Sequence, residues 1–338
     1  MRGDRHRISG RGPVLARVAA LVVALVAPAA GGAAPAGKLV LYTSQPDRDA
    51  AQTVQGFRAH APQVEVEVFR SGTTEVLNKL LAEFAAGGPR PDVLLIADAG
   101  SMERLHAEGR LLPYPGADVA QLPPGTVNRE RTYFGTKLIT TGIAYHAAAA
   151  RKPTSWKDLL APEARGQVVL PSPLYSGAAA IHMAALLASP ALGPHYYEEL
   201  ARNQAVAVRG NGAVASAVAG GQKMYGVLVD FMALNAKAKG SPIDFVFPAE
   251  GVTAVTEPVA ILRTARNVEA ARAFVDFLLS RDGQALATRQ GYLPARRDVA
   301  PPPGFPPLAA IRILPVDFAD FLAHDEANKR RFAELFGG

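Results

Sequence analysis

Cysteine is missing from all 338 residues. Its absence excludes a disulfide framework, a thiolate metal site, a cysteine nucleophile and a lipidated cysteine anchor. A chain of roughly 300 residues can stabilise itself without such staples, and that length favours two compact units over one. Net charge is also scarce. The formal value is +6, but five arginines and one aspartate in the first 36 residues account for most of it, leaving about +2. That is no nucleic-acid footprint, which needs a clustered basic face, though it permits mild attraction of anions. Catalytic signatures are absent as well. There is no G-x-S-x-G elbow and no H-E-x-x-H pair, and the seven histidines are scattered (His6, His60, His106, His146, His182, His195, His324). Glu198 and Glu199 are adjacent, so on a helix they point to different sides. A hydrolase has no nucleophile or metal set to work with, and the sequence is read as that of a non-enzyme without a cofactor or metal site.

What is present begins at the N-terminus. Arg2, Arg5, Arg7, Arg11 and Arg17 precede the uncharged run Val18 to Val26, and small residues fill Ala29 to Gly37. This order predicts a secretory signal peptide over residues 1–36, cut after Ala36 or after Ala30. The apolar run falls short of the ~20 residues a bilayer span requires.

Beyond it, apolar runs and helical periods alternate. Lys38–Ser44, Val64–Phe69 and Asp92–Ala97 read as strands, and Asp47–His60, Thr73–Ala86 and Gly100–Glu108 as helices, the spacing of parallel crossover units. Tyr133–His146 is one long β-rich segment with an interruption at Thr140-Thr141-Gly142. A second α/β block follows, with strands at Gln167–Leu170, Ala205–Arg209, Met224–Val229 and Asp244–Phe247 and helices between and after them. Val252–Leu262 is a second long β segment, then helices are expected over Glu269–Leu279 and Asp317–Leu335, with the proline-rich Ala300–Pro307 as a surface connector. Two long β segments around an inserted block predict a discontinuous first lobe, residues 37–141 and 251–338, with residues 142–250 as the second lobe.

Four segments carry a family likeness: Leu39–Gln45 (LVLYTSQ), Arg70–Leu81 (RSGTTEVLNKLL), Pro91–Pro113 and Glu257–Asn267 (EPVAILRTARN). In their order and spacing the chain resembles the type 2 periplasmic solute-binding proteins of ABC importers, in the ferric-iron, phosphonate and sugar-phosphate branch. The resemblance implies an α/β fold of two lobes, each a mostly parallel sheet flanked by helices and joined by β hinges. It implies a periplasmic monomer that binds a small anionic solute, of phosphonate or sugar-phosphate type, and delivers it to a cognate permease. The iron members place adjacent tyrosines where this chain has Asp230-Phe231, so an iron site would have to recruit Tyr42, Tyr133, Tyr145 and Tyr225 instead.

Candidate ligand contacts follow from strand ends and helix starts. Ser71, Gly72, Thr73 and Thr74 lie after a strand and open a helix, offering backbone N–H groups and hydroxyls to an anion, or else simply capping that helix. Ser44 ends the first strand, where ligand sites of open α/β sheets lie. Asp98 ends the third and is either a cleft residue or a helix cap. Ser172, Ser176 and Gly177 form a second hydroxyl-rich helix start, near Tyr175. Thr141 marks the first long β segment. Gly210-Asn211-Gly212-Ala213-Val214-Ala215 fits a loose dinucleotide fingerprint, but the helix behind it is too short for one; Asn211 is kept as a cleft hydrogen-bonder. Asp230 follows a strand, as a ligand partner or a cap. Glu257 sits at a break in the returning β segment, as a hinge carboxylate facing ligand or a surface strand residue.

Overall fold

The computed structural model describes residues 34–123, 125–306 and 310–337. The expected signal peptide falls, through residue 33, outside the described residues.

The first sheet begins with β1 (Gly37–Thr43), β2 (Val64–Arg70) and β3 (Val93–Leu95), connected by helices α1 (Asp47–His60) and α2 (Thr73–Ala85) and followed by α3 (Ala99–Ala107). β1 pairs in parallel with both β2 and β3. β3 is buried along its whole length because helices cover both faces. Val93 and Leu95 pack toward Phe57 of α1, while Leu94 and Ile96 pack toward Leu77 and Leu80 of α2. This two-residue alternation is what a strand between two helix layers requires.

The second sheet holds β5 (Lys137–His146), β6 (Val168–Pro171), β7 (Val206–Val208), β8 (Tyr225–Val229), β9 (Ile243–Val246), β10 (Thr253–Val255) and, paired to the start of β5, the short Leu293–Pro294 strand from near the C-terminus. Helices α4 (Gly177–Ala188), α5 (Tyr196–Arg202), α6 (Asn211–Ala219) and α7 (Asp230–Ala238) flank it. Its order is β10-β5-β8-β6-β7, with β9 also paired to β5.

Twice the chain passes directly from a strand of one sheet to a strand of the other. β4 (Tyr133–Gly135) belongs to the first sheet and β5 to the second, so the first switch is at Thr136. On the return, β10 lies in the second sheet and β11 (Pro258–Ile261) in the first, so the second switch is at Thr256–Glu257. The expected interruption at Thr140-Thr141-Gly142 does not occur: β5 runs through it, because Thr141 pairs with both Val229 and Thr253. Residues 137–141, assigned above to the first lobe, therefore hydrogen-bond within the second sheet. The completed first sheet reads β2-β1-β3-β11-β4, with β11 antiparallel to both neighbours.

The chain ends in α8 (Val268–Leu279), α9 (Arg281–Arg289), β12 (Leu293–Pro294) and α10 (Phe318–Phe336). Of these, α9 and β12 escaped the sequence reading. α8 packs its apolar stripe, including Phe274 and Val275, against the first sheet. α10 touches both lobes: Phe321 lies over Gly100 of α3, where an added Cβ would come within 2.7 Å of its ring, and Phe332 packs among Trp156 and Tyr197 of the second lobe. Among the described residues, no helix is long and apolar enough to cross a membrane.

Candidate functional site

Between the sheets lies a cleft of about 410 Å³. Five helix starts converge on it. Pro46 and Asp47 come from α1, Gly72 and Thr73 from α2, and Ser176 and Ala178 from α4. Gly210 through Ala213 come from α6, and Val229, Phe231 and Met232 from the start of α7. The cause is local sequence: each helix follows a strand that ends at the cleft, the position at which open α/β sheets bind ligands. No side chain caps α1, α2 or α6 by hydrogen bond, whereas Ser176 caps α4 through the Ala179 N–H at 3.3 Å and Asp230 takes the Phe231 N–H of α7 at 2.7 Å. Each start carries the positive end of a helix dipole and first-turn N–H groups without partners inside the helix.

Two arginines join these helix starts. Arg70, the last residue of β2, donates from Nε to the Gln45 carbonyl at 2.6 Å and from Nη1 to the Tyr175 hydroxyl at 3.4 Å. Arg209, just after β7, stacks its guanidinium 4.4 Å from the centre of the Tyr175 ring and reaches Glu75 of α2 at 2.8 Å. Glu75 also accepts from the Ser71 hydroxyl, and that bond, followed by the arginine, holds its carboxyl below the usual range.

The lobes meet at this mouth. The Thr74 N–H donates to the Tyr175 carbonyl at 3.4 Å, and the Tyr175 ring lies against Gly72, where a Cβ would sit 2.4 Å from it. Gly177 allows a second close approach, since a Cβ there would be 2.8 Å from Thr73 Cγ2.

At the floor, near the sheet switches, Glu257 is 2% exposed and has φ +38°, left-handed backbone rarely adopted by a side-chain-bearing residue. Lys137, equally buried, meets its carboxylate at 2.6 Å, and the Gln45 amide donates to it at 3.3 Å. Burial raises the Glu257 pKa against the pull of that lysine. Tyr292 places its ring 3.9 Å from the Lys137 ammonium and 4.1 Å from the Phe231 ring, and its hydroxyl donates to Asp49 at 2.7 Å. Among the described residues, Oδ1 of Asn211, which lines the cleft, and Oε1 of Gln45 are buried acceptors without partners.

Of the residues expected from sequence, Ser44, Gly72, Thr73, Ser176, Asn211 and Glu257 line the cleft together. The others do not line it. Ser71 is turned to Glu75, and Thr74 contributes only its backbone contact to Tyr175. Asp98 caps α3 through the Ser101 N–H at 2.9 Å, Thr141 is inside β5, and Ser172 accepts from the Leu174 N–H in a turn. Gly177 serves lobe contact. Asp230 is buried, accepting from the Thr140 N–H and hydroxyl at 3.0 and 2.7 Å, which ties α7 to β5. Asp98, Thr141 and Asp230 are thus all committed within the protein. Glu257 is no surface strand residue.

Arg70, Arg209, Phe231, Met232 and Tyr292 were missed as lining residues. The two arginines were findable, because each sits at a strand end beside a helix start already singled out. Tyr292 carried no signal, since it follows the unrecognised α9. The four tyrosines proposed for iron are elsewhere, with hydroxyls engaged by Glu83, Glu103, Asp244 and the Arg151 carbonyl respectively. Among the described residues, no group of three or more His, Asp or Glu side chains is gathered for a metal ion.

The sequence profile of a family described as bacterial extracellular solute-binding protein matches residues 39–293. An uncharacterised protein of Haemophilus influenzae is 27% identical over 275 residues, covering 77% of this chain and 78% of its own. Among solved structures, the periplasmic binding protein AfuA of Actinobacillus pleuropneumoniae, with fructose-6-phosphate bound, superposes with a TM-score of 0.79 at 22% identity, covering 89% of this chain and 98% of its own. Iron-bound HitA of Pseudomonas aeruginosa gives a TM-score of 0.75 at 20% identity, covering 87% and 99%. Both likenesses show the two-lobed fold.

Proposed function

The chain belongs to the bacterial extracellular solute-binding protein family, and we propose that it is the exported, periplasmic binding subunit of an ABC importer that closes its lobes over a small organic oxyanion. The lobes are taken to divide at Thr136 and at Thr256–Glu257, where the chain changes sheets. Delivery would be to a membrane permease, with no catalysis in the cleft.

The observation that carries this reading is the convergence of five helix starts with Arg70 and Arg209 on one cleft. Backbone N–H groups and dipole ends favour an anion without a large net charge on the protein, which suits a chain whose basic excess lies mostly in its first 36 residues. Lobe closure removes water and strengthens each of those hydrogen bonds. A volume of about 410 Å³ greatly exceeds the ~30 Å³ share of one water, so the cleft suits an organic molecule better than a bare ion. Ferric iron is the weaker reading, because the four tyrosines expected for it lie elsewhere and the two that line the cleft are engaged, Tyr175 by Arg70 and Tyr292 with Asp49.

A thermal-shift panel of phosphate esters, phosphonates, carboxylates and ferric salts tests this. A ligand at ~100 times its dissociation constant adds ~2.7 kcal/mol of stability. The expected result is a shift with an oxyanion that falls at least tenfold in affinity in Arg70→Ala, the cost of one charge-assisted contact. A shift with ferric iron alone, or unchanged affinity in Arg70→Ala, overturns the proposal.

A further inference from the structure

The cleft is chemically uneven along its length. β2 and β7 are the outermost strands of their sheets, and they deliver Arg70 and Arg209 to the same end, where both meet Tyr175. The opposite end is formed beside the sheet switches. There the wall is Ile139, Val229, Phe231, Met232 and Tyr292. Most of its polar groups are already committed, the Gln45 amide oxygen being an acceptor left without a donor. The Tyr292 hydroxyl donates to Asp49, and the Glu257 carboxylate is held by Lys137 and Gln45. A polyol placed here would bury several hydroxyls with few free partners, and each one left unpaired weakens binding. A flat apolar ring loses nothing of that kind and gains contact with the paired Phe231 and Tyr292 rings.

Resting on the oxyanion reading above, we propose that the ligand is an aryl oxyanion, with its charged head toward Arg70 and its ring seated against Phe231 and Tyr292 at the hinge end. The head is a phosphate, phosphonate or carboxylate, all of which helix starts and guanidinium groups bind by the same chemistry. The ring is unsaturated and poor in hydroxyls.

Calorimetric titration of the purified protein with phenyl phosphate, phenylphosphonate, benzoate, fructose-6-phosphate and inorganic phosphate tests both levels. At least one aryl compound is expected to bind about tenfold or more tightly than both fructose-6-phosphate and inorganic phosphate, and the best of the three identifies the head group. Phe231→Leu, which keeps the site apolar while removing the ring, is expected to lower aryl affinity several-fold more than phosphate affinity, with the ligand-free melting temperature checking that it folds. If fructose-6-phosphate binds as tightly as the aryl compounds, or Phe231→Leu leaves aryl affinity unchanged, the ring seat is wrong while the oxyanion reading stands. If none of the five binds, the oxyanion reading itself fails, and this inference with it.

Discussion

Asp230 and His182 illustrate what burial does to single ionisable groups. Burial pushes the Asp230 carboxyl up to about 7, against an ordinary value of 3.8, and its hydrogen bonds from Thr140 and Phe231 only partly oppose this. The folded state then holds the proton more tightly than the unfolded state. Its contribution to stability is complete below pH ~4 and is lost as pH rises through about 7. His182 has the opposite sign: burial lowers it to about 3, so its neutral form contributes fully above pH ~6.5 and loses that contribution as pH falls. Because the two windows overlap, the wild-type curve alone does not separate them, but a variant does. Asp230→Asn cannot titrate, so the stability difference between wild type and variant should shrink from pH 5 to pH 8 in urea unfolding. An equal difference at both pH values would show that Asp230 keeps an ordinary carboxyl pKa.

At the scale of elements, the cleft is a meeting of helix starts, and glycine at those starts decides how closely they approach. Gly72 begins α2 and has the Tyr175 ring against it, with no room for a Cβ. Its φ of −62° is open to any residue, so substitution leaves the local backbone unstrained. Gly72→Ala should therefore fold with a loss of at most about 1 kcal/mol, the scale of an N-cap change, yet lose tenfold or more in affinity for the best oxyanion because the lobes cannot reach their observed contact. Isothermal titration alongside a melting curve measures both, and wild-type affinity would mean that the Tyr175–Gly72 contact is dispensable. α10 works at the same scale: its Phe321 on α3 and its Phe332 in the second lobe make it a strap between two bodies.

Across the whole molecule, the lobes are joined by two sheet switches, and Lys137 and Glu257 link one to the other as a buried ion pair. Removing one partner leaves the other charge buried and unpaired, which costs roughly 3–5 kcal/mol, whereas replacing both with apolar residues is often neutral. Denaturant unfolding without ligand should therefore find Glu257→Leu strongly destabilised, and the Lys137→Met, Glu257→Leu double variant more stable than that single. Both carry the same φ strain at position 257, so the comparison isolates the charge. If the double variant is no more stable than the single, the pair is not what holds the switches together.

Much of this was legible in the sequence. Strand and helix periods are local, so β1 to β3, α1 to α3 and the alternation of the second block could be read from nearby residues, as could the break at Glu257-Pro258. The hydroxyl- and glycine-rich starts at Gly72, Ser176 and Asn211 were visible for the same reason. The tertiary structure decided everything that depends on pairing between distant residues. It moved the first switch to Thr136, because Thr141 finds partners in β8 and β10. It turned Asp98 and Asp230 inward as a cap and a brace, and it brought Tyr292, from a segment without a sequence signal, against Phe231. Local propensity sets where a helix begins; only sheet order and lobe contact determine which beginnings face each other, and the cleft's chemistry is a property of that facing.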